Sequence, residues 1–158
     1  MTVRSILNRI RHDPVRYRRL LEKRDDMYSR IYPGSIRPKH TPVQESAPDD
    51  KMLRIMADVD ALDKTVTAFE SRMRRRRVYA EGIISQITDV RLRQVLEQYY
   101  LSPYYDTDEE TGREEVYLPT WGNVSARLKI SERWVKQLHG EALKEFSRIS
   151  GLKLKEEP

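Results

Sequence analysis

The chain has 158 residues, of which 38% are apolar and 35% charged, and its 30 Lys and Arg outweigh 25 Asp and Glu for a formal charge of +5. A length for one ordinary domain or two small ones, with so few apolar residues, excludes a single thick core and points to burial shared among thin, elongated elements. The lack of cysteine excludes disulfides and thiolate metal sites, and the three histidines, His12, His40 and His139, are too scattered for a structural zinc site.

The charge is unevenly spread. Residues 89 to 118 hold 3 basic against 8 acidic side chains, whereas residues 119 to 158 hold 8 against 5. This sign reversal fits a phosphate-facing module next to a protein-facing insert. The opening "MTVRSILNRIRHD" has no apolar core of signal-peptide length, and no run of about 18 apolar residues follows. A cytoplasmic protein without a membrane contact is therefore expected.

Asp13 followed by Pro14 reads as a capping residue and a first-turn proline, opening a helix that runs to about Ile31. Tyr17, Leu20, Leu21, Met27, Tyr28 and Ile31 recur on one side of it, and Pro33-Gly34 stops it. Residues 1 to 12 are expected to form a separate short helix around Ile6, Leu7 and Ile10. The four prolines of "PGSIRPKHTPVQESAPDD" make residues 32 to 50 an extended connection, ending in Asp49-Asp50, which can cap the next helix.

From Lys51 to about Ile87 the spacing of Met52, Ile55, Val59, Leu62, Val66, Phe69 and Met73 predicts one long helix with a heptad seam. A seam this narrow needs a second helix over it, from the first helix folding back or from another copy of the chain. A short helix is predicted from Thr88 or Asp89, with Leu92, Val95, Leu96 and Tyr99 inward. Next come two β-prone runs, around Tyr104-Tyr105 and Val116 to Leu118, flanking an acidic turn with Gly112. They read either as a β-hairpin insertion at 103–118 or as an unstructured acidic loop.

Thr120 caps the following helix, which buries Trp121, Val124 and Leu128. Ser131 caps the last one, with Val135, Leu138, Ala142, Leu143, Phe146 and Ile149 inward and Gly151 at its end. The fold class expected is mainly all-α. A long antiparallel helical coiled-coil stem (1–87) carries a helix-turn-helix domain (88–151) with an acidic insertion at 102–118, and residues 152–158 form a flexible tail.

Two short helices joined by "KIS" have the layout in which a first helix crosses a DNA backbone and the start of the second meets base edges. Glu132, Arg133, Lys136 and Gln137 fall on the outer side of the second helix. Arg and Lys can donate to guanine or phosphate, Gln can pair bidentately with adenine, and Glu can accept from cytosine. Thr120 and Ser131, with the free amides of their helix starts, suit phosphate contacts, and His139 is expected at the edge of the helix near the DNA backbone. Arg127 and Lys129 are further candidates for phosphate. So are Arg74, Arg75 and Arg77 of "RMRRRR", although that run also reads as a solvated face or as a partner of the acidic insert. The other reading of the whole stretch is a helical hairpin with a solvated charged face.

The run "TWGNVSARLKISERWVKQLHGEALKEF" resembles region four of bacterial sigma factors, in which positions matching Glu132, Arg133, Lys136 and Gln137 face promoter DNA. The wider layout, from the first helix through "TPVQESAPDDKM", the heptad helix and "ITDVRLRQVLEQYYL" to the pattern Trp121 to Leu143, resembles phage and prophage regulators of the ArpU/RinA type. The resemblance covers roughly residues 14 to 149. The chain departs from both families in the insertion between Leu101 and Pro119 and in having Trp134 where sigma factors commonly carry Arg.

The resemblance implies a phage or prophage transcriptional regulator acting on double-stranded DNA in a bacterial host cell. Host RNA polymerase and a second copy of the chain, joined through the stem, are the other partners considered. Rival readings are a protein adaptor with little DNA affinity and a DNA-packaging recognition subunit of the small-terminase kind. No triad, metal spacing or glycine-rich phosphate loop accompanies the motif, and around "DTDEE" the glycine and terminal Glu spacing of a calcium loop is absent. No enzymatic activity, cofactor or metal is expected.

Overall fold

The computed structural model describes residues 1–31 and 50–155. The proline-rich connection and the cap expected at Asp49 lie outside the described residues, as do 156–158. The chain is mainly helical, with α1 (Val3–Ile31), α2 (Asp50–Ile84), α3 (Val90–Leu96), α4 (Trp121–Leu128) and α5 (Glu132–Ser150). An antiparallel pair of strands, β1 (Tyr104–Thr107) and β2 (Glu114–Tyr117), completes it. The chain divides into two compact units, one of residues 17–71 and one of residues 1–16 with 72–158. Both long helices contribute turns to each unit.

In the unit of residues 17–71, α1 and α2 pair antiparallel within the chain. The Tyr28 hydroxyl donates to Asp63 Oδ2 at 2.7 Å, Arg24 Nε lies 3.9 Å from Asp63 Oδ1, and the rings of Tyr17 and Phe69 stack at 6.3 Å. Val59, Leu62 and Val66 are buried, as the heptad seam predicts, and Met52, Ile55 and Phe69 are half-buried. Among the described residues α1 is the helix that covers this seam.

The other unit departs from the expected layout at its start. Residues 1–12 are not a separate helix: α1 runs from Val3 through Pro14, and Asp13 is no cap. The cause is packing. Val3, Ile6, Leu7 and Ile10 are buried in one cluster with Ala80, Ile83, Ile84 and Ile87 and with the core side of α5. That apolar burial outweighs the backbone bond that an interior proline removes. Asp13 is fully buried, with Arg76 Nε 3.1 Å from Oδ2. Burial raises its pKa more than the guanidinium lowers it. Arg76 thus links the basic run to the interior of this unit.

Asp89 caps α3 by accepting from the Arg91 amide at 2.9 Å. The helix then widens into a π-helical turn, Glu97–Leu101. A 3.6-residue period would turn Tyr99 inward, but the wider turn buries Tyr100 and Leu101 and leaves Tyr99 half-buried against its neighbours.

The hairpin pairs Tyr104 with Tyr117, Tyr105 with Val116, Asp106 with Glu115 and Thr107 with Glu114. Gly112, at φ 65°, closes its turn, and the Asp108 carboxylate accepts from the amides of Glu110 and Thr111. Of the two readings of the acidic insertion, the hairpin is the one that forms.

The tail is not loose up to Leu154. Thr2 and Lys153 form a parallel β-bridge, Val3 donates its amide to the Lys153 carbonyl at 2.9 Å, and Leu152 and Leu154 pack on the core.

Candidate nucleic-acid interface

α4 begins where Thr120 and Asn123 form a reciprocal cap: Thr120 Oγ1 accepts the Asn123 amide, and Asn123 Oδ1 accepts the Thr120 amide. It ends at Lys129, which takes a left-handed conformation at φ 55°. The Ser125 hydroxyl donates to the Ile130 carbonyl, and the Ile130 amide donates to the Ser125 carbonyl at 3.3 Å, so the turn is closed on both sides. Ser131 then caps α5 by accepting the Trp134 amide at 3.2 Å. These local bonds, with Val124, Val135 and Leu138 buried beneath, give a helix, a three-residue turn and a second helix.

The sequence-predicted residues divide into three groups. Glu132, Arg133, Lys136 and Gln137 are all exposed on the first two turns of α5. Lys136 Nζ lies 3.1 Å from Glu132 Oε1, one turn away. This half-exposed pair is weak, about 0.5 kcal/mol, and leaves Lys136 available to an anion.

In a second group Thr120, Ser131, Arg127 and Arg77 are engaged in local structure, while Arg74, Arg75 and Lys129 are exposed. The Thr120 hydroxyl is held in the cap, donating to Asn123 Oδ1 at 2.9 Å, and Ser131 Oγ accepts the Trp134 amide. Arg127 donates to Gln98 Oε1 at 2.7 Å and lies 3.8 Å over the Tyr104 ring, which ties α4 to the base of the hairpin. Arg77 pairs with Glu81 at 2.7 Å, while Arg74 and Arg75 are exposed on α2. Lys129 is exposed at the turn.

His139 forms the third group and does not lie where the sequence suggests. Its ring does not edge the helix toward solvent; it sits in an aromatic cluster with Tyr100, Trp121 and Tyr99. Nε2 is hydrogen-bonded to the Tyr100 hydroxyl at 2.8 Å, and the Trp121 ring lies edge-on at 4.8 Å. Helical spacing puts His139 at the margin of the buried stripe, four residues beyond Val135, and the Tyr100 hydroxyl holds it inward. Burial, assisted by Arg4, lowers its pKa to about 4, and burial raises that of Tyr100. Both rings are therefore neutral near pH 7 and act as packing.

Sequence reasoning missed that cluster and its link to α1. Trp121 stacks on Tyr99 at 4.0 Å, and Arg11 covers Tyr99 at 4.2 Å while donating through Nη2 to the Pro119 carbonyl at 2.6 Å. The adjacent aromatics "YY" were visible, but a contact spanning 108 residues has no local signature. Trp134 is 39% exposed beside Arg133, so the polar side of α5 also offers an apolar surface.

Comparison with protein-family models, curated proteins and solved structures finds no match. Among the described residues no helix is long and apolar enough to cross a membrane, and no group of His, Asp and Glu could hold a metal ion.

Proposed function

We propose that this chain is a sequence-specific double-stranded-DNA-binding protein of the phage or prophage regulator kind, with α5 as its recognition helix. The observation that carries this reading is the exposure of Glu132, Arg133, Lys136 and Gln137 together on the opening turns of α5, directly after a closed three-residue turn. A capped helix start presents amides and a partial positive charge to phosphate, and side chains on its first two turns are the ones that reach base edges in a major groove. Arg133 and Gln137 supply donors for guanine and adenine, and each well-formed bidentate pair discriminates by about 1–3 kcal/mol. Lys136 and Lys129 supply charge for phosphate.

The acidic hairpin favours a protein partner on the same unit. Asp106 faces Glu115 across the strands, a like-charge pairing that weakens the sheet and repels a phosphate strand. Host RNA polymerase is a partner of the right kind for a regulator that binds promoter DNA through a helix of the sigma-region-four type.

The test is selection of bound duplexes from a random-sequence library by the purified chain. The reading predicts enrichment of a short motif that is lost when Arg133 and Gln137 are both replaced by Ala. Recovery of unenriched sequence by both proteins contradicts it.

A further inference from the structure

The middle of α5 carries a glycine that the fold does not require. Gly140 lies inside the Glu132–Ser150 helix, well before the left-handed cap at Gly151, and a Cβ added to it would meet no atom within 4 Å. Glycine is the poorest helix former after proline, because its backbone loses the most freedom on folding. Here no turn, positive φ or close packing calls for it. Gly82 is equally open, but it lies two residues from the end of α2, where its carbonyl accepts the side chains of Ser85 and Gln86, each at 2.9 Å. Gly140 has no such terminal role.

Its position singles it out. Gly140 follows Arg133 by seven residues and Gln137 by three and precedes Lys144 by four, so the four share one stripe of α5. The three long members of that stripe are exposed. The preceding residue, His139, is fixed between Tyr100 and Trp121, so this turn of the helix has a set orientation.

We propose that Gly140 is a close-approach point, where a sugar-phosphate strand of a DNA duplex lies against bare helix backbone. The gap between the long side chains admits the strand and lets Arg133 and Gln137 reach the groove. This rests on the DNA-binding reading above and adds a positioning residue to it.

The test uses the full chain with Gly140→Ala, Gly140→Gln and, as control, Gly82→Ala. Each is followed by thermal melting and by fluorescence anisotropy with a labelled mixed-sequence duplex at low salt. All three variants are expected to melt at or above the wild-type temperature. Gly82→Ala binds the duplex like wild type. Gly140→Ala weakens binding roughly ten-fold, the scale of one misfitting methyl group at a close contact, and Gly140→Gln weakens it further. A Gly140 variant that binds as tightly as wild type overturns the inference alone, as does one that melts lower, which would reveal a packing role. Failure of the wild type itself to bind the duplex overturns the DNA-binding reading, and this inference with it.

Discussion

Acidification should loosen the helix-turn-helix, and His139 carries a separable share of that loss. Its pKa falls from the ordinary 6.5 to about 4 in the folded chain, chiefly through burial and then through Arg4. The groups facing it are Tyr100, which shares its Nε2 hydrogen bond, and the rings of Tyr99 and Trp121. In the unfolded chain His139 takes up a proton below about pH 6.5, whereas the folded chain resists doing so until about pH 4. Between those values the unfolded state binds more protons, so the stability contributed by neutral His139 is fully present above pH 6.5. It is lost as the pH falls through that window.

At about 1.36 kcal/mol per pKa unit the full difference is about 3 kcal/mol, and the partial solvent contact of the ring trims it to about 2 kcal/mol. Urea denaturation at pH 7 and at pH 4.5, on wild type and His139→Gln, measures it. Wild type should lose about 2 kcal/mol more than the variant over that interval. Contributions from Asp13, Asp89 and Asp108 are common to both proteins and cancel in the difference. Equal losses would refute the burial of a neutral imidazole.

Two further substitutions test the packing and the turn. Trp121→Ala removes the ring stacked on Tyr99 and set against His139, and should destabilise the chain by about 3 kcal/mol in chemical denaturation, whereas an unchanged midpoint would remove Trp121 from the core. Lys129→Gly should do the opposite. Gly151 ends α5 in the same way that Lys129 ends α4, with a serine four residues earlier donating to the following carbonyl. Relieving the left-handed strain at Lys129 is worth about 1 kcal/mol, or about 2–4 °C in melting temperature, and a lower melting temperature would contradict it.

The helical periodicities carried most of the fold. Val124, Val135, Leu138, Ala142, Leu143 and Phe146 are buried as their spacing predicts, because each pair of helices needs one apolar stripe and little else. The capping residues Thr120, Ser131 and Gly151 were legible for the same reason, since a cap is a contact within a few residues. What failed was non-local. Asp13-Pro14 has the local form of a helix start, yet the burial of Val3, Ile6, Leu7 and Ile10 against distant residues carries the helix straight through it. The π-helical turn that swaps Tyr100 for Tyr99 was hidden as well, because it leaves the apolar pattern intact while shifting it by one residue.

At the candidate site, exposure of Glu132, Arg133, Lys136 and Gln137 followed from their positions opposite the buried stripe. His139 was misplaced because it lies at the margin of that stripe, where spacing alone does not say which side wins. Tyr100 decides it by offering the hydrogen bond that makes burial of the imidazole tolerable.

Contact between the polar side of α5 and nucleic acid would show in the salt dependence of duplex binding. Wild type and the double variant Arg133→Ala, Lys136→Ala would be titrated against one labelled duplex over a series of salt concentrations. Wild-type affinity should fall steeply with salt, and the variant should bind more weakly with a slope shallower by about 1–2. Identical affinities and slopes for the two proteins would contradict that contact.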